Sequence, residues 1–404
     1  MKVPSLQLLS LLSSFATLSC ALNGKPQQRP LESTPAPPST ESESELVYLH
    51  RKLISHESIT GNELDVGKWL ASYLRSHNLT VETQEVSSTR YNLIAYPGDS
   101  AKTDILVTSH IDTVPPFWKY ERSTASNAED TIWGRGSVDD KGSVASQIIA
   151  VLDLFSQARA SNLSPPSISL LFVVGEEKGG DGMRYFSDHA PTNYSAVVFG
   201  EPTEGKLAAG HKGNLGFKLH VKGKAAHSGY PWLGISANDV MVEALARLRA
   251  LEEHLPKSDK YGMTTLNIGK VYGGVAANVV AETAEAEIMT RIAASVPATV
   301  KAMVSAALEP VKKRAEEKGG SLEVEYFNTG YGPIDIETDI PGFDTLTVNY
   351  GTDIPNLEGD YKSYLYGPGN IFVAHSDHEH LTVGDLETAV GDYKRILSTL
   401  LERL

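Results

Sequence analysis

The chain has 404 residues, of which 41% are hydrophobic and 21% charged; this excludes a wholly disordered or fibrous protein and leaves room for two or three domains. Acidic residues outnumber basic ones 50 to 36, a net charge of −14, so a polyphosphate partner is disfavoured and no nucleic-acid binding is expected. Cys20 is the single cysteine, which excludes a disulfide framework and leaves His, Asp and Glu to hold any metal.

Residues 1–21 read MKVPSLQLLSLLSSFATLSCA. One lysine precedes an apolar run, and Ser19 and Ala21 suit the −3 and −1 positions of a cleavage site, so a signal peptide and a secreted product are expected. No other stretch approaches the ~18 apolar residues of a spanning helix, so no membrane partner is expected. Three Asn-x-Ser/Thr triplets, at Asn78, Asn162 and Asn193, are compatible with a secreted glycoprotein. Residues 22–45 are rich in Pro, Ser, Thr and Glu and read as a disordered linker or pro-segment.

From Leu46 the pattern becomes globular. ELVYLHRKLISH and ELDVGKWLASYLRSHN carry helical spacing. YNLIAYPG, DILVTSHIDTV and SISLLFVVGEE are short β-branched runs bounded by turn residues, and KGSVASQIIAVLDLFSQA is a helix between the last two. SAVVFGEPT is a further strand. Alternating strands and helices predict an α/β domain around a mostly parallel sheet. Beyond Ala209 the character changes to strands NLGFKLHVKGKAAHSG, TTLNIGKVYGG and AETAEAEIMTRIA alternating with helices over 237–255 and 297–320, followed by the strand SLEVEYFN. A smaller inserted α+β unit is predicted at 210–320, between catalytic segments 46–209 and 321–404.

In an open α/β sheet, ligands bind beyond the carboxyl ends of strands. Here DILVTS runs into His110-Ile111-Asp112, LLFVVG into Glu176-Glu177, AVVF through Gly200 into Glu201, and IFVA into His375. The loop GRGSVDDKG adds Asp139 and Asp140 just before a helix. Each feature alone is most often a surface histidine, a solvated turn or a helix cap. Their joint placement at one edge points to a metal held by imidazole and carboxylate, a donor set suited to Zn, Mn or Co.

SHIDTVP, GRGSVDDKG, GEE, GEPT, GKAAHSG and GPGNIFVAHSDHEHL, in this order, resemble the di-zinc aminoacylase/carboxypeptidase family, which includes acetylornithine deacetylase, succinyl-diaminopimelate desuccinylase and glutamate carboxypeptidase. The resemblance covers residues 46–404. It implies a zinc-exopeptidase-like catalytic domain with a ferredoxin-like lid or dimerisation insert, and two Zn(2+) per subunit. The metal ligands would be His110 and Glu201 on one ion, Glu177 and His375 on the other, with Asp139 bridging and a cis Asp139–Asp140 bond. Asp112 would orient His110, a pairing that also follows from the alternate-residue spacing at a strand end. Glu176 would be the general base, free of metal beside ligand Glu177. His227 would stabilise the developing oxyanion, supplied by a partner subunit in dimeric relatives. Arg291 would clamp a substrate carboxylate, with Asn278 and Gly369 as further substrate contacts.

Two departures stand out. Where many relatives have Asp-Glu-Tyr or Asn-Glu-Tyr, this chain has His378-Glu379-His380, so either histidine could replace His375; His375 is favoured because its Ala-His-Ser matches the motif start. His211-Lys212 also replaces a more usual Arg-rich start of the insert. The expected activity is a secreted carboxypeptidase-like hydrolase that cleaves an amide next to a free carboxylate, in a peptide or N-acyl amino acid. Alternatives are an N-acyl-amino-acid amidohydrolase, an aminopeptidase, or a non-catalytic binding protein on the same scaffold. A homodimer through the insert is a further expectation.

Overall fold

The computed structural model describes residues 43–123, 130–327 and 329–404. The expected leader and nearly all of the linker lie outside these residues. The linker is shorter than predicted: Ser44 caps the first helix by accepting the Val47 N–H, and Glu43 pairs with Arg51 at 2.7 Å.

The described chain opens with helices α1 (Glu45–Ser55) and α2 (Leu64–Ser76), then strands β1 (Thr80–Ser87), β2 (Arg90–Tyr96) and β3 (Ile105–His110). Helix α3 (Lys141–Ala160), strand β4 (Ile168–Val173), helix α4 (Asp181–Asp188) and strand β5 (Ala196–Gly200) follow. The next stretch is β6 (Gly213–Lys222), α5 (Ala237–Glu252), β7 (Thr265–Gly273), β8 (Thr283–Ile292), α6 (Pro297–Glu317) and β9 (Ser321–Tyr326). The chain returns through β10 (Lys362–Tyr366) and ends in α7 (Val383–Leu401).

A six-stranded sheet has the order β1-β2-β4-β3-β5-β10. β3 is parallel to both β4 and β5, and β10 is parallel to β5; β1 and β2 are antiparallel additions at one edge. β3, β4 and β5 are buried along their whole lengths, which explains their unbroken apolar runs: both faces are covered. On one face, α1, α2, α3 and α7 contribute residues such as Leu53, Leu70, Val144, Ile148, Leu386 and Ile396 to one core. On the other, Met183 and Phe186 of α4 pack with Ile336, Val348 and Ile354. No described helix is long and apolar enough to cross a membrane.

The second sheet has the order β7-β8-β6-β9 and is antiparallel throughout. Its β-α-β-β-α-β chain order is that of the ferredoxin-like motif. Leu215, Phe217 and Leu219 of β6 pack with Met241 and Leu248 of α5 and Val304 and Leu308 of α6 in a separate core. β9 corrects one boundary. It pairs with β6 from Ser321 to Tyr326, so the inserted unit extends beyond residue 320. The sequence alone could not show this, because an alternating strand such as SLEVEY fits either sheet.

Candidate metal centre

The carboxyl ends of β3, β4 and β5 lie side by side, and the residues beyond them converge. Asp139 stands at the middle. Its Oδ1 lies 3.1 Å from His110 Nε2, and its Oδ2 lies 3.2 Å from His375 Nε2. Glu177 approaches from the His375 side, 3.1 Å from the same Nε2. Two groups of potential ligands result, His110–Asp139–Glu201 and Asp139–Glu177–His375, and within each the donor atoms lie within 4.8 Å of one another. His378 and His380 belong to neither: His378 Nδ1 lies 2.9 Å from the Asp377 carboxylate, and His380 Nδ1 lies 2.6 Å from the His378 carbonyl.

The geometry fits a pair of divalent cations. His110 Nδ1 lies 3.0 Å from the Asp112 backbone carbonyl, an acceptor, so Nδ1 carries the proton. Nε2 then faces a carboxylate oxygen at 3.1 Å, a contact satisfied either by a second ring proton, which burial opposes but Asp112 and Asp139 favour, or by a bound cation in its place. Electrostatics agree. Burial, with further carboxylates added to it, pushes Glu177 up and Glu201 well up from the ordinary range. Burial also pushes Asp139 up, but His110 and His375 outweigh it and hold that carboxyl low. His375 itself is raised to about 10 by its contacts with Asp139 and Glu177.

Local structure explains how these side chains are held. The Asp139–Asp140 peptide is cis. Glu379, 1% exposed, accepts from the Val138 and Asp139 backbone N–H groups at 3.2 and 3.3 Å and pairs with buried Arg135 at 2.6 Å. His50 of α1 donates to the Ser137 carbonyl at 2.8 Å, and burial lowers its pKa to about 4. Asp112 is buried and multiply engaged. Its carboxylate accepts from Thr60 Oγ1 at 2.8 Å and from the backbone N–H groups of Glu176 and Glu177 at 3.1 and 3.3 Å. Asp112 Oδ1 lies 3.6 Å from His110 Nδ1, farther than the backbone carbonyl of the same residue. Asp112 therefore organises the Glu176–Glu177 turn at least as much as the imidazole. At Gly175 (φ 78) a Cβ would collide with the Arg90 guanidinium, which passes the turn to reach buried Glu63 at 2.8 Å.

IFVA is not a strand. Ile371–Val373 form a short 3-10 turn capped by Asn370, and His375 sits at φ 62, in the left-handed region. Asn370 accepts from the Phe372 N–H, a local bond that competes with a sheet ladder.

Glu176 belongs to neither ligand group. With His110, Glu201, Thr352 and Asp353 it lines a cavity of about 10 Å³, room for no more than about one water. Burial drives its pKa well up; His110 opposes this, and Asp353 and Glu177 add to it. Asp353 carries no motif and is not foreseen from the sequence. It is fully buried, raised to about 6 by burial, and its Oδ2 has no hydrogen-bond partner.

The remaining predicted residues are more dispersed. Arg291 lies half-buried on β8, and its charge reaches both buried His211 and Tyr331. Burial raises the Tyr331 hydroxyl; Glu176 adds to this and Arg291 opposes it. His227 and Asn278 are neighbours, joined by a Ser228 N–H to Asn278 carbonyl bond of 3.0 Å and a His227–Val279 bridge. Both are exposed on the inserted unit, and His227 Nδ1 accepts only from the Gly229 N–H at 3.0 Å. The single chain does not bring them to the metal ligands. Gly369 serves the backbone: its φ is 73, a Cβ would strike Val138, and its carbonyl accepts from the Glu204 N–H at 2.8 Å.

Comparison with known proteins agrees with this architecture. Residues 209–317 match the peptidase dimerisation domain of the M20 type, and residues 92–200 match peptidase family M28. A probable carboxypeptidase of Emericella nidulans is 45% identical, over 98% of this chain and 99% of that one. Among solved structures, a tripeptidase from Staphylococcus aureus superposes with a TM-score of 0.71 at 21% identity, covering 88% of this chain and 98% of that one. An M20 family metallo-carboxypeptidase from Sulfolobus solfataricus superposes with a TM-score of 0.67 at 15% identity, covering 90% and 100%. These two share the fold.

Proposed function

The chain belongs to the aminoacylase/carboxypeptidase family of metallopeptidases, and we propose that it is a secreted, di-zinc, carboxypeptidase-like hydrolase that cleaves an amide next to a free carboxylate. At the coarser level it is a metallopeptidase of the carboxypeptidase type. The observation that carries the finer reading is Asp139, flanked on its two oxygens by His110 and His375, with Glu176 unligated beside it.

His110, Glu201 and Asp139 would hold one zinc, and Asp139, Glu177 and His375 the other. When bound, the ions supply Lewis acidity toward water and the scissile carbonyl. The protein's own groups do the rest. Glu176 takes a proton from the attacking water at its carboxylate and later gives it to the leaving amine, one group in two roles. Burial around Glu176 keeps bulk water from competing for that proton. Arg291 offers a planar two-pronged donor to the substrate carboxylate. His227 and Asn278 would join from a second copy through the dimerisation domain, since within one chain they face outward. The leader at residues 1–21 supports export.

Chelation should abolish hydrolysis of N-blocked dipeptides, and added zinc should restore it. Retained activity in the chelated, metal-free protein would overturn the reading. A second reading, an aminopeptidase, is favoured by one observation: buried Asp353, with an unpartnered oxygen on the wall it shares with Glu176, is the kind of anchor a free α-amino group needs. Paired N-acetylated and free-amine dipeptides decide between the two. Preference for the blocked series supports the carboxypeptidase, and preference for the free amine supports the aminopeptidase.

A further inference from the structure

The three Asn-x-Ser/Thr triplets take no part in the metal site, yet the fold places them with a common logic. We propose that Asn78, Asn162 and Asn193 are N-glycosylated and that their glycans clothe one pole of the molecule, the pole opposite the metal ligands. This rests on the reading of residues 1–21 as an export leader.

All three asparagines are exposed, and so are the hydroxyl residues that complete the triplets, Thr80, Ser164 and Ser195. Asn78 and Asn162 sit in turns with φ of 63 and 54. The parallel strands β3, β4, β5 and β10 run in one direction, so their amino ends share one edge. Bonds from the Asp104 N–H to the Ser167 carbonyl (3.2 Å), from the Ser195 N–H to the Asp104 carbonyl (2.8 Å) and from the Lys362 N–H to the Ser195 carbonyl (3.1 Å) run along it. Asn193 is two residues from that line. Helix α3 starts beside the metal loop and runs back for 20 residues, ~30 Å, so it delivers Asn162 to the same edge. β2 is antiparallel to β4, with Leu93 opposite Phe172 and Ala95 opposite Leu170, so Tyr96 lies toward the amino end. Thr80 pairs with Tyr96, which places Asn78 there too. His110, Glu176, Glu177 and Glu201 all lie at or beyond the carboxyl ends, and a six-residue strand separates the two edges by ~20 Å. No triplet falls in the inserted unit.

The chemistry is a glycosyl transfer from a lipid-pyrophosphate oligosaccharide. The asparagine carboxamide nitrogen bonds to the sugar C1, the C1–O bond to the lipid pyrophosphate breaks, and one amide proton is released as the pyrophosphate leaves. The product carries bulky, solubilising sugar at one pole, while the cleft and the inserted unit stay bare.

The full chain is secreted from a yeast host, once with its own residues 1–21 and once with them replaced by a host leader. Peptide N-glycosidase should lower the mass in three steps, with N78Q, N162Q and N193Q each removing one. The triple variant should show no step and keep kcat/KM within about twofold. As a contrast, G269T completes a triplet at exposed Asn267 on β7, where an added Cβ meets nothing closer than 3.6 Å. A glycan there should change the oligomeric state or depress hydrolysis. Modification seen only with the host leader supports the three sites and ends the export reading. Secretion with no mass step, a tenfold loss in the deglycosylated enzyme, or a glycosylated G269T that behaves as wild type overturns the proposal.

Discussion

The two sheets present opposite kinds of working edge. At the carboxyl edge of the six-stranded sheet, His110, Asp139, Glu201, Asp112 and Glu379 are all nearly inaccessible, and the Asp139 loop is held by Glu379, through Arg135, Val138 and Asp139, and by His50, through Ser137. On the inserted unit, His227 and Asn278 are exposed in the company of Tyr230 (54% exposed), Trp232 (73%) and Val275 (88%). One edge is finished within the chain; the other offers aromatic and apolar surface outward. Large exposed apolar residues grouped in this way mark a surface that is covered in use. The comparison teaches that the candidate metal ligands are enclosed by a single copy, whereas His227 and Asn278 are left on its surface.

The sharpest break between the two regions comes from exchanging single residues on each. Glu176→Gln should retain both metals by elemental analysis and lower kcat by roughly 10³-fold, because the proton-transfer group is lost while the ligands stay. His227→Ala should lower kcat by about 10²-fold with metal content unchanged, the size of losing one oxyanion donor. Mixing the two inactive variants distinguishes the regions directly: regained activity means His227 acts across two copies, and none means that it does not.

Smaller effects sharpen the same contrast. Glu379→Ala leaves Arg135 buried without its partner and removes two bonds to the Asp139 loop. It should cost about 3–5 kcal/mol in denaturant unfolding and weaken metal binding. The equivalent truncation of exposed Tyr230 should leave metal affinity untouched. Acid should act on the buried histidines. His50 of α1 and His211, at the start of the insert, are buried neutral, with folded pKa values of about 4 against an unfolded value of 6.5. Both states are neutral at pH 7. As pH falls through 6.5 the unfolded chain takes the protons first, so stability declines until about pH 4. The loss should be about 3 kcal/mol per histidine. Apart from His211, the histidines of the inserted unit, His220, His227 and His254, lie at or near the surface. Hydrogen exchange at pH 4.5 should therefore open the segments packed around His50 and His211 while β7, β8 and β9 keep their protection.

Much of the first region was legible in the sequence because its signals are local. A buried parallel strand must be apolar throughout, so a His or Glu immediately after one marks the sheet edge where ligands gather. That is how His110, Glu177 and Glu201 could be placed together. His375 follows a 3-10 turn rather than a strand; IFVA misleads because its composition is partly β-branched and the Asn370 cap carries no strong signal. Asp353 and the Arg90–Glu63 brace were not legible at all. Glu63 lies 27 positions from Arg90, and the cavity wall around Asp353 is built, apart from neighbouring Thr352, from residues more than 150 positions earlier; a lone acid or arginine in a loop has no periodicity to reveal burial.

The sequence by itself determined which residue types could work here, and where three strands hand over to chemistry: with Cys20 the single thiol, imidazoles and carboxylates remained, and strand ends located His110, Glu177 and Glu201. Tertiary structure alone decided which of three nearby histidines faces Asp139, that β9 joins the second sheet, and that His227 points outward. The physical reason is range. Periodicity and turn chemistry act over a few residues, whereas burial, coordination distance and strand partnership depend on segments up to hundreds of positions apart.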